Sequence, residues 1–484
     1  MRLKLEGRNL RVAAPILVGA VTLIVGVFAS CGGGGSDGTP TPSPAPSAAL
    51  SPLLGTLTPT PLPPIEPSAY RFLYSEFGTE QDVIWSIDPS NPSDRVQLAI
   101  VPHKAGWGIK PALSPDGKKI AYNAMPERGI SAATDGETRI LDLESGETKL
   151  VVQGVDLLAA PSWAPDGRLL FLRRNAGEDV TVILVQLFKL KVEDEDGQGT
   201  RNGEEVDEDG YVELDPPLIR TVLRQHESDV FSYIQLGFDP EEATMYFAHL
   251  LGGTQSGSYL GRYAPATGEA VATATAIVEA TATAEAATPE PSPTPTPPPT
   301  PTPFPSPSPT PLPALPGDVF LFLSDQLVRV YSLSPDASRL AFLVQGLVGG
   351  ELLTRTYIAD IKGKDVSLLP SPEGLSSGDQ LSPIWHPDGD KVSFGQLPSG
   401  VDPGRVAIVP MDGSEATSLP PPEQGFDQPL SWSPDGKFLA VSSFTGASLA
   451  NPGLSRLVFV SPAGQRPAAP EGAEFEPVGW VIRE

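Results

Sequence analysis

The chain has 484 residues, with 33 Lys and Arg against 59 Asp and Glu, giving a formal net charge of −26 at pH 7. A surface so acidic repels nucleic acid and anionic lipid headgroups, and basic partners or cations fit it better. The single cysteine excludes a disulfide framework, a redox pair or a thiolate metal site, while the length leaves ample chain for one large domain or two smaller ones.

Residues 1–30 read as an export signal. Arg2, Lys4, Arg8 and Arg11 precede an apolar run from Val12 to Phe28, which ends in Phe28-Ala29-Ser30-Cys31 ahead of Gly32–Gly35. Small residues before a lone cysteine, followed by a flexible glycine run, resemble the lipobox of bacterial lipoproteins. The resemblance implies that Cys31 is lipidated and becomes the mature N-terminus on the outer face of a bacterial membrane. The other reading of the apolar run is an uncleaved anchor, at the short edge of what spans a bilayer. Removing the signal leaves 29 basic against 58 acidic residues, so the exported part is still more acidic.

Residues 31–69 are Gly-, Pro-, Ser- and Thr-rich and predict a disordered stalk, with polyproline II stretches extending about 3.1 Å per residue. From Tyr70 the composition changes to short strand-like runs such as RFLYSE, DVIWSID and RVQLAI.

The remainder is organised by a recurring stretch: PALSPDGKKIAY at Pro115, PSWAPDGRLLFL at Pro165, LGFDPEEATMYF at Pro240, YSLSPDASRLAF at Pro335, PIWHPDGDKVSF at Pro387 and LSWSPDGKFLAV at Pro434. Each predicts strand, tight turn, strand. Leu113, Trp163, Phe238, Leu333, Trp385 and Trp432 stand two positions before the proline, and apolar residues alternate after the turn. Pro presets the first turn corner, Asp accepts local backbone hydrogen bonds, and Gly tolerates the turn exit.

The spacings of these prolines are 50, 75, 95, 52 and 47 residues. The interval of 75 contains an acidic insertion at about 193–210, and the interval of 95 contains an Ala/Thr/Pro-rich tract at about 271–316 that predicts disorder. Without these inserts the period is about 49, the size of a four-stranded propeller blade. At the chain ends, PVGW at Trp480 has a first strand without its partner, and RFLYSE has a second strand without its turn. Pairing the two completes a blade and leaves no open edge. The expectation is an all-β fold: a single propeller over 70–484, with seven four-stranded blades (six is the alternative) closed by its N- and C-terminal strands. Two separate half-rings on either side of 271–316 would expose sheet edges, and closing a loop of that length costs only on the order of a few kcal/mol.

The recurring turn after an aromatic resembles the TolB-type, WD-repeat-like propeller repeat. Five of six copies keep Pro-Asp and four keep Pro-Asp-Gly; the copy at Pro240 reads Pro-Glu-Glu and the copy at Pro335 has Ala337 for Gly. The resemblance implies a ring that works as a binding platform and carries no catalytic residues with it.

Asp194, Asp196, Gln198, Thr200 and Glu205 approach calcium-loop spacing, yet their flanks read as strands, so a solvated acidic hairpin tip is the competing interpretation. No other cofactor is expected. Gly374-Leu375-Ser376-Ser377-Gly378 matches a serine-hydrolase pattern but lacks the strand-to-helix context. His103, His226, His249 and His386 have no mutual metal-ligand spacing, and His386 takes the serine place of a motif turn. Asp116, Asp166, Asp336, Asp388 and Asp435 recur once per turn and have a sufficient structural role there.

The expected function is non-catalytic binding of an envelope protein or extracellular ligand by a lipid-anchored monomer that does not bind nucleic acid. The alternatives are a hydrolase or dehydrogenase with its site in the axial channel, and a structural cell-surface protein.

Overall fold

Each motif copy with described turn residues folds as two antiparallel strands joined at its Pro-Asp turn. Lys110–Leu113 pairs with Lys119–Ala124, Ser162–Trp163 with Leu169–Ala176, Leu327–Leu333 with Arg339–Val348, Gln380–Trp385 with Lys391–Gln396, and Phe426–Trp432 with Leu439–Phe444. In this computed structural model the described residues are 64–128, 136–176, 179–190, 211–225, 233–238, 245–251, 257–263, 318–324, 327–348, 351–361, 365–370, 379–400, 402–472 and 474–483. Among them there are strands and no helix.

The strands form seven antiparallel sheets, numbered here in chain order. Sheet 1 holds Tyr70–Glu76, Gln81–Ile87 and Arg95–Pro102, with Phe475–Ile482 on the free side of Tyr70–Glu76. Sheet 2 runs from Lys110–Leu113 to Thr148–Val155, and sheet 3 from Ser162–Trp163 to Tyr211–Gln225. Sheet 4 runs from Tyr233–Phe238 to Asp318–Ser324, and sheet 5 from Leu327–Leu333 to Val366–Leu368. Sheet 6 runs from Gln380–Trp385 to Thr417–Ser418, and sheet 7 from Phe426–Trp432 to Ser455–Val460. The first strands of sheets 2 and 3 lie side by side, as do those of sheets 4, 5, 6 and 7 in succession, and Phe475–Ile482 lies beside the first strand of sheet 2, the arrangement of strands on the inner wall of a β-propeller. Residues 65–484 make one compact unit.

Sheets pack face to face through apolar clusters. Phe72, Tyr74 and Ile87 of sheet 1 meet Ala440, Leu457 and Phe459 of sheet 7. On its other face sheet 1 presents Leu73 and Ile84 to Ile120, Tyr122 and Leu141 of sheet 2. Comparable clusters join sheets 2 and 3, 4 and 5, 5 and 6, and 6 and 7. Alternation thus serves two neighbours at once, since odd and even positions of one strand fill opposite interfaces. Each fully buried Phe or Leu contributes roughly 1.5–3 kcal/mol.

At the termini, Tyr70 lies opposite Ile482 and Phe72 opposite Trp480, with a register shift between Leu73 and Tyr74. The Phe72 and Trp480 rings meet edge to face at 4.9 Å.

Sheet 7 departs from the four-strand expectation, with three strands. The segment after Ser455–Val460 approaches it by a single bridge, Val458 to Ala468, flanked by the Phe459 N–H donating to the Pro467 carbonyl and the Ala469 N–H donating to the Leu457 carbonyl. Pro462, Pro467 and Pro470 have no N–H to give, so no continuous ladder forms there. The compact unit also begins at Ile65, inside the stretch whose composition reads as stalk. Ser68 is buried and its hydroxyl donates to Asp435 Oδ2, which accepts the Ala69 N–H as well.

The motif turns explain their own composition. Gly117, Gly167, Gly389 and Gly436 sit at φ between +66° and +73°, the left-handed region that a side chain disfavours. Ala337 holds the same place at φ +50°. Ala337→Gly is therefore expected to raise the unfolding free energy by about 1 kcal/mol, read as an increase in the denaturant midpoint at unchanged slope. An unchanged or lower midpoint would show that this turn carries no strain.

Candidate functional site

The five motif aspartates are placed by their turns. Asp116 Oδ1 accepts from the Ser114 hydroxyl at 2.5 Å and from the Lys118 N–H at 3.0 Å. Asp166 accepts from the Arg168 N–H. Asp336 accepts from both Ser334 and Ser338, and these bonds hold its carboxyl down at about 2. Asp435 accepts from Ser433 and Lys437 in its turn and also secures Ser68 and Ala69. Asp388 occupies the equivalent corner beside His386.

The motif tryptophans do more than fill the core. The Trp163 indole N–H donates to the Ala112 carbonyl and that of Trp385 to the Ser332 carbonyl, in each case reaching the first strand of the preceding sheet. Trp432 donates to Ser393 Oγ and Trp480 to Ser431 Oγ. An aromatic at this place is therefore a staple between sheets, which its apolar character alone did not announce.

Polar groups on and behind the first strands form pairs. Lys110 bonds Glu476. The buried Asp427 receives a two-pronged contact from Arg466, at 2.8 and 3.0 Å, and the Gln428 amide donates to Ser382 Oγ. Asp156 and Arg173 pair at 2.5 Å. The Arg466–Asp427 contact engages both carboxylate oxygens and is geometrically specific, and each Arg–Asp pair ties a strand to a segment outside the strands.

A buried cluster in sheet 1 was not visible in the sequence. His103 and Asp82 are each 2% exposed, and His103 Nε2 lies 2.9 Å from Asp82 Oδ1. The other ring nitrogen, Nδ1, lies 2.9 Å from the Lys104 carbonyl. Both nitrogens thus face acceptors, an arrangement that the imidazolium satisfies at both ends. Burial alone pushes the His103 pKa down; the bonds to Asp82 and to the Lys104 carbonyl, with the charge of Asp82, outweigh it and raise it above the ordinary value. Asp82 also accepts from Gly78 N–H, Ile109 N–H and Ser75 Oγ, and Phe77 stacks on the imidazole.

Between sheets 2 and 3 lies a groove of about 540 Å³. Trp163, Leu187 and Phe188 contribute to its lining together with Leu150, which is 40% exposed. Lys119 sits over the Phe188 ring, and Lys149 bonds Glu213 at 2.7 Å. Asp142, Glu147 and Asp215 add further carboxylates to the lining. Its second wall is Tyr211–Gln225, a 15-residue strand paired with Asp179–Leu190. The acidic insertion connects these two strands, so the same hairpin that carries the insertion builds the groove.

The tentative calcium set Asp194, Asp196, Gln198, Thr200 and Glu205, the lipidation candidate Cys31, the Gly374–Gly378 pattern and the turn of the Pro240 copy lie outside the described residues. So do the signal and most of the stalk, as well as the tract at about 271–316.

No family model matches the chain, and no curated protein matches it. Solved structures similar to it include TolB from Acinetobacter baumannii, 16% identical with a TM-score of 0.38, the match covering 74% of this chain and 64% of that one. The chain thus spans less than two thirds of that TolB. Oligogalacturonate lyase from Vibrio parahaemolyticus is 12% identical with a TM-score of 0.47, covering 83% of this chain and 85% of the lyase. The β-propeller domain of the Trilobed protease from Pyrococcus furiosus is 12% identical with a TM-score of 0.43, covering 83% of this chain and 96% of that domain.

Proposed function

We propose that the chain is a lipid-anchored, extracytoplasmic protein whose seven-bladed propeller, closed between its terminal strands, serves as a non-catalytic binding platform. The seven sheets and the pairing of Phe475–Ile482 with Tyr70–Glu76 support the blade count and the closure. Anchoring rests on the Ala29-Ser30-Cys31 stretch and its basic and apolar flanks. The groove between sheets 2 and 3 carries the binding role: it is concave, its floor is apolar and aromatic, and carboxylates stand around it. Its partner is a protein segment bearing basic and apolar side chains, in keeping with the net charge of −26. Engagement of the first-strand polar groups in pairs such as Lys110–Glu476 and Gln428–Ser382 favours a scaffold over an axial active site.

The test places a photocrosslinking side chain at position 150, in the groove, or at position 368, on the outer strand of sheet 5, in cells making the full chain. A membrane-fraction adduct from position 150 and none from position 368 is expected. Cys31→Ser is expected to abolish lipid labelling and release the protein. Equal or absent adducts would contradict the groove, and continued labelling of the serine variant would contradict the anchor.

A further inference from the structure

The turn of sheet 6 differs from its fellows at two positions at once. Where the other described copies have Ser114, Ala164, Ser334 and Ser433, this one has His386; where they have Lys118, Arg168, Ser338 and Lys437, it has Asp390. Neither change is needed to make the turn. The His386 N–H donates to the Lys391 carbonyl at 2.9 Å and the Gly389 N–H to the His386 carbonyl at 2.9 Å, repeating the bonds from Ser114 to Lys119 and from Gly117 to Ser114.

The imidazole is held in place. It is 12% exposed, its ring meets Trp432 edge-on at 5.0 Å, and Nε2 is turned to the backbone of Gly436. A Cβ at position 436 would lie 2.7 Å from Nε2, so only glycine leaves the ring this room. Nδ1 accepts a long contact from the Asp388 N–H at 3.4 Å. Asp388 Oδ2 stands 3.3 Å and Asp390 Oδ1 3.8 Å from the same nitrogen, so a cation bound there would take its lone pair in place of the long N–H contact. Three electron-pair donors converge within 4.8 Å of one another, the only such group of His, Cys, Asp and Glu among the described residues. Lys391 neutralises the other oxygen of Asp390, Oδ2, at 3.2 Å and leaves Oδ1 toward the imidazole.

The geometry points to a divalent transition-metal site formed by His386 Nδ1, Asp388 and Asp390. Ligands about 2.1 Å from a tetrahedral ion stand about 3.4 Å apart, close to the nitrogen–oxygen spacings present. One imidazole with two carboxylates suits zinc, nickel or cobalt, whereas calcium asks for six to eight oxygens that this turn does not supply. Three protein donors leave a coordination position for water or for a donor group of a partner. The acidic surface raises the local cation concentration.

Titration calorimetry of the full chain with zinc chloride at pH 7 tests the site. His386→Ser and Asp390→Lys are the informative variants, because each restores the residue that other copies of the turn carry and so preserves folding. A saturable site of one equivalent is expected in the parent protein, weakened by at least about tenfold in each variant and insensitive to excess calcium. Zinc binding that is absent, or that is unchanged in both variants, would overturn the proposal, the latter by assigning the heat to diffuse carboxylates elsewhere. Substitution by cobalt gives an independent reading, since coordination by His386 produces visible absorption that His386→Ser removes.

Discussion

Asp82→Ala is expected to destabilise the protein by about 3–5 kcal/mol, measured as a lower denaturant midpoint near pH 6, because it leaves the His103 imidazole buried without its carboxylate and strands the Gly78 and Ile109 N–H groups. The pair also sets a direction with pH. His103 binds its proton more tightly folded than unfolded, so its contribution is complete below about pH 6.5, the unfolded value, and disappears as pH rises through the raised folded value. Comparing unfolding at pH 6 and pH 9 should show a loss of stability in the parent chain that is absent in His103→Gln. A parent and variant with parallel pH profiles would mean that His103 is neutral in the folded protein.

The second large effect belongs to the seam between the chain's two ends. Phe72 is fully buried and meets Trp480 at 4.9 Å and Phe459 at 5.7 Å, while the Trp480 indole donates to Ser431 Oγ of sheet 7. Phe72→Ala and Trp480→Ala are each expected to cost about 3–5 kcal/mol in equilibrium unfolding. The double variant should lose less than the sum by roughly 0.5–1.5 kcal/mol, because the two rings share one contact. Strict additivity would show that the rings do not meet. Since Trp480 joins sheet 1 to sheet 7 as well as closing its own sheet, loss of cooperativity is expected to accompany loss of stability.

What could be read without coordinates was whatever is local and repeated. Turn chemistry at Pro115, Pro165, Pro335, Pro387 and Pro434 is written in four consecutive residues, and strand alternation either side of it needs no knowledge of the partner sheet. Whatever depends on distant residues meeting was hidden. His103 and Asp82 are 21 positions apart with no motif around either, and Arg466 reaches Asp427 from 39 positions away. The staple made by each tryptophan depends on a carbonyl or hydroxyl about 40 to 53 residues earlier, such as Ala112 for Trp163 and Ser332 for Trp385. Counting strands by period also missed the end of sheet 7, where prolines interrupt what the spacing alone makes a fourth strand. The stalk boundary was set by composition, yet Ser68 is drawn into the fold by Asp435, a residue 367 positions on.

The groove shows how an insertion can matter without forming part of the repeat. Lengthening the hairpin between Asp179–Leu190 and Tyr211–Gln225 carries Glu213 and Asp215 out beside Lys149 of the preceding sheet. The repeat supplies the floor through Trp163, whereas the extra length supplies the rim. Changes in this one hairpin would therefore alter the rim while leaving the floor supplied by the repeat as it is.

Amide hydrogen exchange tests directly the proposed closure of the propeller by its terminal strands. In the intact chain the amides of Tyr70–Glu76 are predicted to exchange as slowly as those of Leu439–Phe444, a strand with partners on both sides. In a chain ending at Glu474 those amides of the strand that face Phe475–Ile482 should become fast, while the alternate ones still face Gln81–Ile87. Rapid exchange of Tyr70–Glu76 in the intact chain, or protection of the former amides that survives the truncation, would contradict a ring sealed by Phe475–Ile482.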